Sequence, residues 1–85
     1  MYVIDLAESV EKSLIKIPKK NRLQICEKID SLTNDPRPSG CKKLQSSKVP
    51  LYRIRAGDYR IIYTINDSRL LILIVEVGHR KEIYR

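Results

Sequence analysis

The chain has no tryptophan and no phenylalanine, and it holds only one histidine, two cysteines and three glycines. Without Trp or Phe, a core must come from Ile, Leu and Val, with five tyrosines as the only aromatics. One histidine and two cysteines fall short of the roughly four ligands of a structural zinc site. No metal and no other cofactor is therefore expected. Cys26 falls on a helical stretch and Cys41 in a loop. Two cysteines so far apart make no disulfide framework and read as free thiols of a reducing compartment. No apolar run reaches the roughly 18–20 residues of a membrane span, so no membrane role is expected. Asp5, Glu8 and Glu11 stand where a secretory signal would carry basic residues and then an apolar stretch, and a cytoplasmic protein is the expectation. The sequence also lacks a Gly-rich phosphate loop, a nucleophile–base–acid triad, a carboxylate pair set in a motif, an internal repeat and any low-complexity segment.

What is present is positive charge, unevenly placed. The 85 residues, read as a single domain over 1–85, carry a formal net charge of +7. Residues 1–41 hold seven basic and six acidic side chains, and residues 42–85 hold ten and four. Excess positive charge in one half suits a polyanion, either nucleic acid or an acidic protein. A basic surface that only keeps the protein soluble fits the charge count nearly as well.

Tyr2 to Asp5 reads as a short strand. Ala7, Val10, Leu14 and Ile17 then recur at helical spacing. Glu8 and Glu11 lie early and Lys12 and Lys16 late, the order the helix dipole favours. Pro18 ends this helix, because the residue before a proline is pushed out of helical geometry. Lys19 to Asn21 reads as a basic turn. A second helix is expected from about Lys20 to Thr33, with Leu23, Ile25, Ile29 and Leu32 as its apolar stripe and Cys26 alongside. So short a connection makes an antiparallel helix hairpin. Residues 34–50, NDPRPSGCKKLQSSKVP, read as a loop. Lys42, Lys43 and Lys48 in it could reach a phosphate backbone, although most loop lysines are simply solvated.

The stretch Leu51 to Ile65, LYRIRAGDYRIIYTI, reads as two strands around a turn at Gly57-Asp58. Alternation along a strand puts Arg53 and Arg55 on the face opposite Tyr52 and Ile54. After the turn, Arg60, Ile62 and Thr64 oppose Tyr59, Ile61, Tyr63 and Ile65. One face can close a core while the other presents cations. A second turn at 66–69 leads to LLILIVEV (70–77), whose continuous apolar run suits a central strand covered on both faces. If the strand runs on, Glu76 and Arg80 share one face, and Val77 and His79 the other. The expected fold is α+β, with an N-terminal strand and a helix hairpin packed on one face of a mainly antiparallel sheet of about four strands.

A cluster of guanidinium groups with one histidine and several tyrosines suits binding, and conceivably cleaving, a phosphodiester. RNA carries its own nucleophile, the 2′-OH. Cleavage needs that oxygen aligned and deprotonated, the pentavalent phosphate stabilised and the 5′-oxygen protonated. Arginines stabilise the charge through planar, multiple hydrogen bonds. Histidine or tyrosine moves protons or stacks on a base. On chemistry alone, simple anion or protein binding fits this set more readily than catalysis.

The stretches LYRIRAGDYRIIYTI (51–65) and VGHRKEIYR (77–85), with the helix hairpin and Pro-rich loop ahead of them, resemble the RelE family of bacterial and archaeal toxins within the RelE/ParE superfamily. The resemblance covers nearly the whole chain. It implies a RelE-like fold and a type II toxin–antitoxin toxin that is an mRNA interferase, an endoribonuclease. Such a toxin enters the ribosomal A site and cuts mRNA there by 2′-OH attack without metal, stopping translation. It is held inactive by a cognate antitoxin, a small, acidic and partly disordered protein, and meets operator DNA only through that antitoxin. Carried over by motif, Arg53 and Arg55 bind RNA phosphate, Arg60 and Arg80 stabilise the scissile phosphate, and Tyr84 stacks on a base or transfers a proton. His79 is the one side chain here that ordinarily titrates near neutrality and is a further candidate for proton transfer. Glu76 is read as orienting an arginine. In some members the first two basic positions are lysines. Arginine is effectively never deprotonated, so the base here would be Tyr84, His79 or water. Two other readings remain: a ParE-like inhibitor that binds DNA gyrase, and a non-catalytic module that binds only an antitoxin.

Overall fold

The structure is a computed structural model and describes residues 1–44 and 48–80. Its elements are β1 (Val3–Leu6), α1 (Glu8–Lys16), α2 (Lys19–Ser31), β2 (Lys42–Leu44), β3 (Leu51–Ala56), β4 (Tyr59–Asn66) and β5 (Leu71–His79). The strands form one sheet in the order β1-β5-β4-β3-β2. Strands β2 to β5 are an antiparallel meander, and β1 lies parallel to β5 at the other edge.

The two helices are set by their ends. Glu8 and Glu11 lie in the first turn of α1 and Lys16 in its last, as the dipole favours. Ile17 is extended, with φ −85° and ψ 137°, as expected before a proline. Pro18 occupies the cap position of α2, so Lys19 to Asn21 form its first turn and not the separate basic turn that their composition suggests. Arg22 reaches back from α2 and donates from Nη1 to the Leu14 carbonyl at 3.4 Å. That oxygen also accepts from the Ile17 N–H at 3.2 Å, so the Arg22 bond ties α2 to the end of α1.

Both helices lie on one face of the sheet. Val10, Leu14 and Ile17 from the first arm and Ile25, Ile29 and Leu32 from the second pack with Ile54, Ala56, Ile61, Tyr63, Ile72, Ile74 and Val77. Leu23, expected in the stripe of α2, is 56% exposed. It lies only two residues from Ile25, about 200° around the helix, and cannot share a face with it.

The sheet has five strands, one more than expected. The added strand, β2, lies inside the Pro-rich segment and pairs Lys42 with Arg53, Lys43 with Tyr52 and Leu44 with Leu51. Three residues, two of them lysines, carry almost no strand signal, yet short lysine-bearing strands are what sheet edges favour. The β3–β4 turn has Gly57 at φ +62°, the residue a two-residue hairpin with its first position left-handed requires.

The last strand contains a β-bulge. Ile62 pairs with Glu76 but Tyr63 pairs with Ile74, so Val75 is an extra residue. It resets the alternation, and Ile72, Ile74 and Val77 all reach the helix side. Leu71 and Leu73 stand on the other face and are half-buried, so the strand is not covered on both faces as its apolar run suggests.

A polar clamp closes one end of the sheet. Arg37 bonds Asp67 through both guanidinium nitrogens, at 2.9 and 3.4 Å. The Tyr2 hydroxyl donates to Asp67 Oδ1 at 2.6 Å. The Arg37 guanidinium also lies 5.3 Å from the centre of the Tyr52 ring, which stacks on Tyr63 at 5.8 Å. Tyr63 donates to the Pro36 carbonyl at 2.7 Å, with the Cys41 Sγ 3.3 Å from the same hydroxyl. Burial, with the Cys41 thiol beside it, pushes the Tyr63 phenol far above its ordinary range, so it stays protonated as a donor.

Three stability outcomes are expected from urea denaturation. Ile25→Ala, at a fully buried site, should cost about 2–5 kcal/mol. Tyr63→Phe should cost about 1–3 kcal/mol, because it leaves the Pro36 carbonyl without its donor. The hydrogen bonds from Arg37 and then Tyr2 hold the Asp67 carboxyl below its ordinary value. Its contribution is therefore full above about pH 4 and lost as pH falls through the lower folded-state value. Asp67→Asn should flatten that acid limb, and an unchanged limb would show the clamp contributes nothing.

Candidate functional site

The site is a stretch of sheet surface on the face away from the helices. Two cross-strand rows build it. One row runs Arg55 to Arg60 to Gly78, and the next runs Lys42 to Arg53 to Ile62 to Glu76. The register brings Arg53, Arg55 and Arg60 to one face, as their spacing predicts. Gly78 puts no side chain beside Arg60.

Their environments differ. Arg60, on the middle strand, is only 7% exposed, whereas Arg55 is exposed and Arg53 half-buried. Arg53 Nε is buried with no hydrogen-bond partner among the described residues. Arg53 and Arg55 take no part in the ion pairs Lys12–Glu8 and Arg37–Asp67. Glu76, expected to orient an arginine, is exposed and stands opposite Ile62. The apolar Ile62 separates it from Arg53, and it makes no ion pair among the described residues.

Arg80 follows the end of β5. Its backbone N–H donates to the Asp58 carbonyl at 2.9 Å, which ties the start of the C-terminal segment to the β3–β4 turn. Arg80 is thus anchored two residues along the chain from Gly78, the partner of Arg60, and is exposed. His79 lies elsewhere. It pairs with Tyr59 across the strands and meets that ring edge-on at 5.5 Å, on the side where Ile61 and Val77 pack. Tyr84 lies outside the described residues. A cleft of about 190 Å³ lies at the sheet edge just before β2 begins, between α2 and β3, and meets the site through Arg55; Lys28, Ser31, Gly40 and Ile54 also line it.

Guanidinium groups gathered on a firm sheet can hold and neutralise a phosphodiester. Comparison with known proteins bears on which class of molecule this is. Residues 4–84 match the family model described as the ParE toxin of the type II toxin–antitoxin system parDE. The chain belongs to that family. It is 28% identical over 85 residues to the toxin RelG of Mycobacterium tuberculosis, covering 99% of this chain and 97% of the relative. It is 25% identical to the mRNA interferase toxin RelE of Escherichia coli K12, covering 98% of this chain and 90% of that one. Among solved structures it resembles the archaeal RelE of the RelE–RelB complex from Pyrococcus horikoshii, with a TM-score of 0.83 and 32% identity over 95% of this chain and 97% of that chain. It is accordingly a RelE-type toxin of the RelE/ParE superfamily, and its helix pair and mixed sheet are the RelE fold.

Arg55 and Arg60 are directly opposite like charges, an arrangement that destabilises a sheet. Arg55→Thr should raise stability by roughly 0.2–1 kcal/mol in urea denaturation. A loss of stability would mean the pair is not in repulsion.

Proposed function

We propose that this chain, acting as a single domain over residues 1–85, is an endoribonuclease toxin that cuts mRNA in the ribosomal A site. A cognate antitoxin holds it inactive. The observation that carries the reading is the Arg55–Arg60 pair, with Arg53 beside it on the same face and Arg80 anchored to the adjoining turn. The E. coli relative named an mRNA interferase supports the activity.

In this reading the RNA 2′-oxygen attacks the adjacent phosphorus as its proton leaves to a base. The bond from phosphorus to the 5′-oxygen breaks, and that oxygen takes up a proton. Arg53 and Arg55 hold RNA phosphates. Arg60 and Arg80 stabilise the charge on the pentavalent phosphate. Arginine is held charged, so these four are donors and not bases. The position of His79 against Tyr59, on the helix side, favours Tyr84 or a water for the proton steps.

The antitoxin follows from charge and likeness together. A +7 chain is matched by a small acidic protein, partly disordered and wrapping the toxin. The Pyrococcus relative was solved with its RelB. Contact with operator DNA would come through that partner alone.

A second reading, a ParE-like gyrase inhibitor, is supported by the ParE description of the matched family. One experiment separates the readings. Expression without antitoxin should arrest growth, and mRNA ends mapped after induction should cluster in A-site codons. Arg60→Ala should slow cleavage on programmed ribosomes by roughly a hundredfold or more, and adding Arg80→Ala should abolish arrest. DNA damage without mRNA cuts would instead identify gyrase as the target. No arrest at all would leave an antitoxin-binding module.

A further inference from the structure

We infer that Lys42 is a substrate-binding residue: with Arg53 it forms a second phosphate subsite, one nucleotide from the phosphate that is cut. This rests on the RNA-cleaving reading above. Three observations carry it. Lys42 lies in β2 directly opposite Arg53, which puts both side chains on the face that holds Arg55 and Arg60. Lys42 is exposed, and neither it nor Arg53 makes an ion pair among the described residues. Arg53 Nε is buried without a hydrogen-bond partner among the described residues, so this pair has donor capacity left to spend on an anion.

The geometry then gives a track of two cation pairs. Arg55–Arg60 is one pair and Lys42–Arg53 the other. Within each pair the strands stand about 4.8 Å apart, and the pairs are offset by two residues along β3, roughly 7 Å. That offset is close to the distance between successive phosphates of an extended nucleic-acid strand. Each pair can therefore face one phosphate. The pair nearer the anchored Arg80 takes the scissile phosphate, and Lys42–Arg53 takes a neighbour. Lysine suits this outer position. Its ammonium is a point charge on a flexible stem that can follow a phosphate without fixing its orientation.

Lys43 supplies an internal control. It has the same charge and lies in the same strand, but it pairs with Tyr52 and points to the other face. The test measures cleavage by the full chain on ribosomes programmed with mRNA in which the phosphates flanking the cut site are replaced, one at a time, by uncharged methylphosphonates. Lys42→Ala should weaken half-saturation by roughly threefold to tenfold and lower the salt slope, while Lys42→Arg should restore both and Lys43→Ala should change neither. In the wild type, one flanking methylphosphonate should give a larger loss, because it removes the Arg53 contact as well, and in Lys42→Ala that same replacement should cost less than it does in the wild type, since the Lys42 contact is already gone. Losses that simply add, or equal effects of Lys42→Ala and Lys43→Ala, overturn the subsite. No cleavage by the wild type overturns the nuclease reading itself, an outcome distinct from the others.

Discussion

One register holds the molecule together: the pairing of β4 with its two neighbours. Through β3 it sets Arg55 opposite Arg60, and through β5 it sets Gly78 on the other side of the same arginine. The bulge at Val75 lets this register serve both faces at once. Without the extra residue, strict alternation would place Ile72, Ile74 and Gly78 on one face and Leu71, Leu73 and Val77 on the other. The end of β5 would then turn Val77 away from the helices and Gly78 toward them. One inserted residue lets the strand fill the core at both ends and still clear the surface beside Arg60.

The same register explains why the cations can be held close. Like charges across a strand pair repel, and a flexible loop would separate them. Here each arginine is fixed at a ladder position by backbone hydrogen bonds and by an Ile- and Leu-rich layer beneath it. Cations held close on a rigid sheet are an arrangement suited to binding an anion. The polar clamp at the far end of the sheet works the other way. Arg37 and Asp67 neutralise one another, so that end is structural, while Arg53 and Arg55 take no part in that ion pair.

Much of this was legible in the sequence. The alternation of Arg53, Arg55 and Arg60 against Tyr52, Ile54, Tyr59 and Ile61 fixes their faces without any structure, because a strand has period two and the turn at Gly57-Asp58 is unambiguous. Pro18 fixes the helix break for an equally local reason. Features that depend on partners far along the chain were not legible. Strand β2 exists because β3 offers it an edge, and Lys42-Lys43-Leu44 alone does not look like a strand. The bulge at Val75 is invisible in LLILIVEV, where every register is apolar. Glu76 reads as orienting an arginine, but it stands opposite Ile62, which separates it from Arg53. The clamp joins Tyr2, Arg37 and Asp67, which no local pattern connects.

The parallel pairing of β1 with β5 joins the first strand to the last among the described residues. The edge strand that leaves the N-terminus has no partner until residues 71–74 have been made. Non-local contacts of this kind form late. A nascent chain therefore carries the arginines of β3 and β4 well before the sheet that aligns them is closed, with Gly78 and Arg80 still to come. The pairing that aligns Arg60 is complete only once Gly78 has been made.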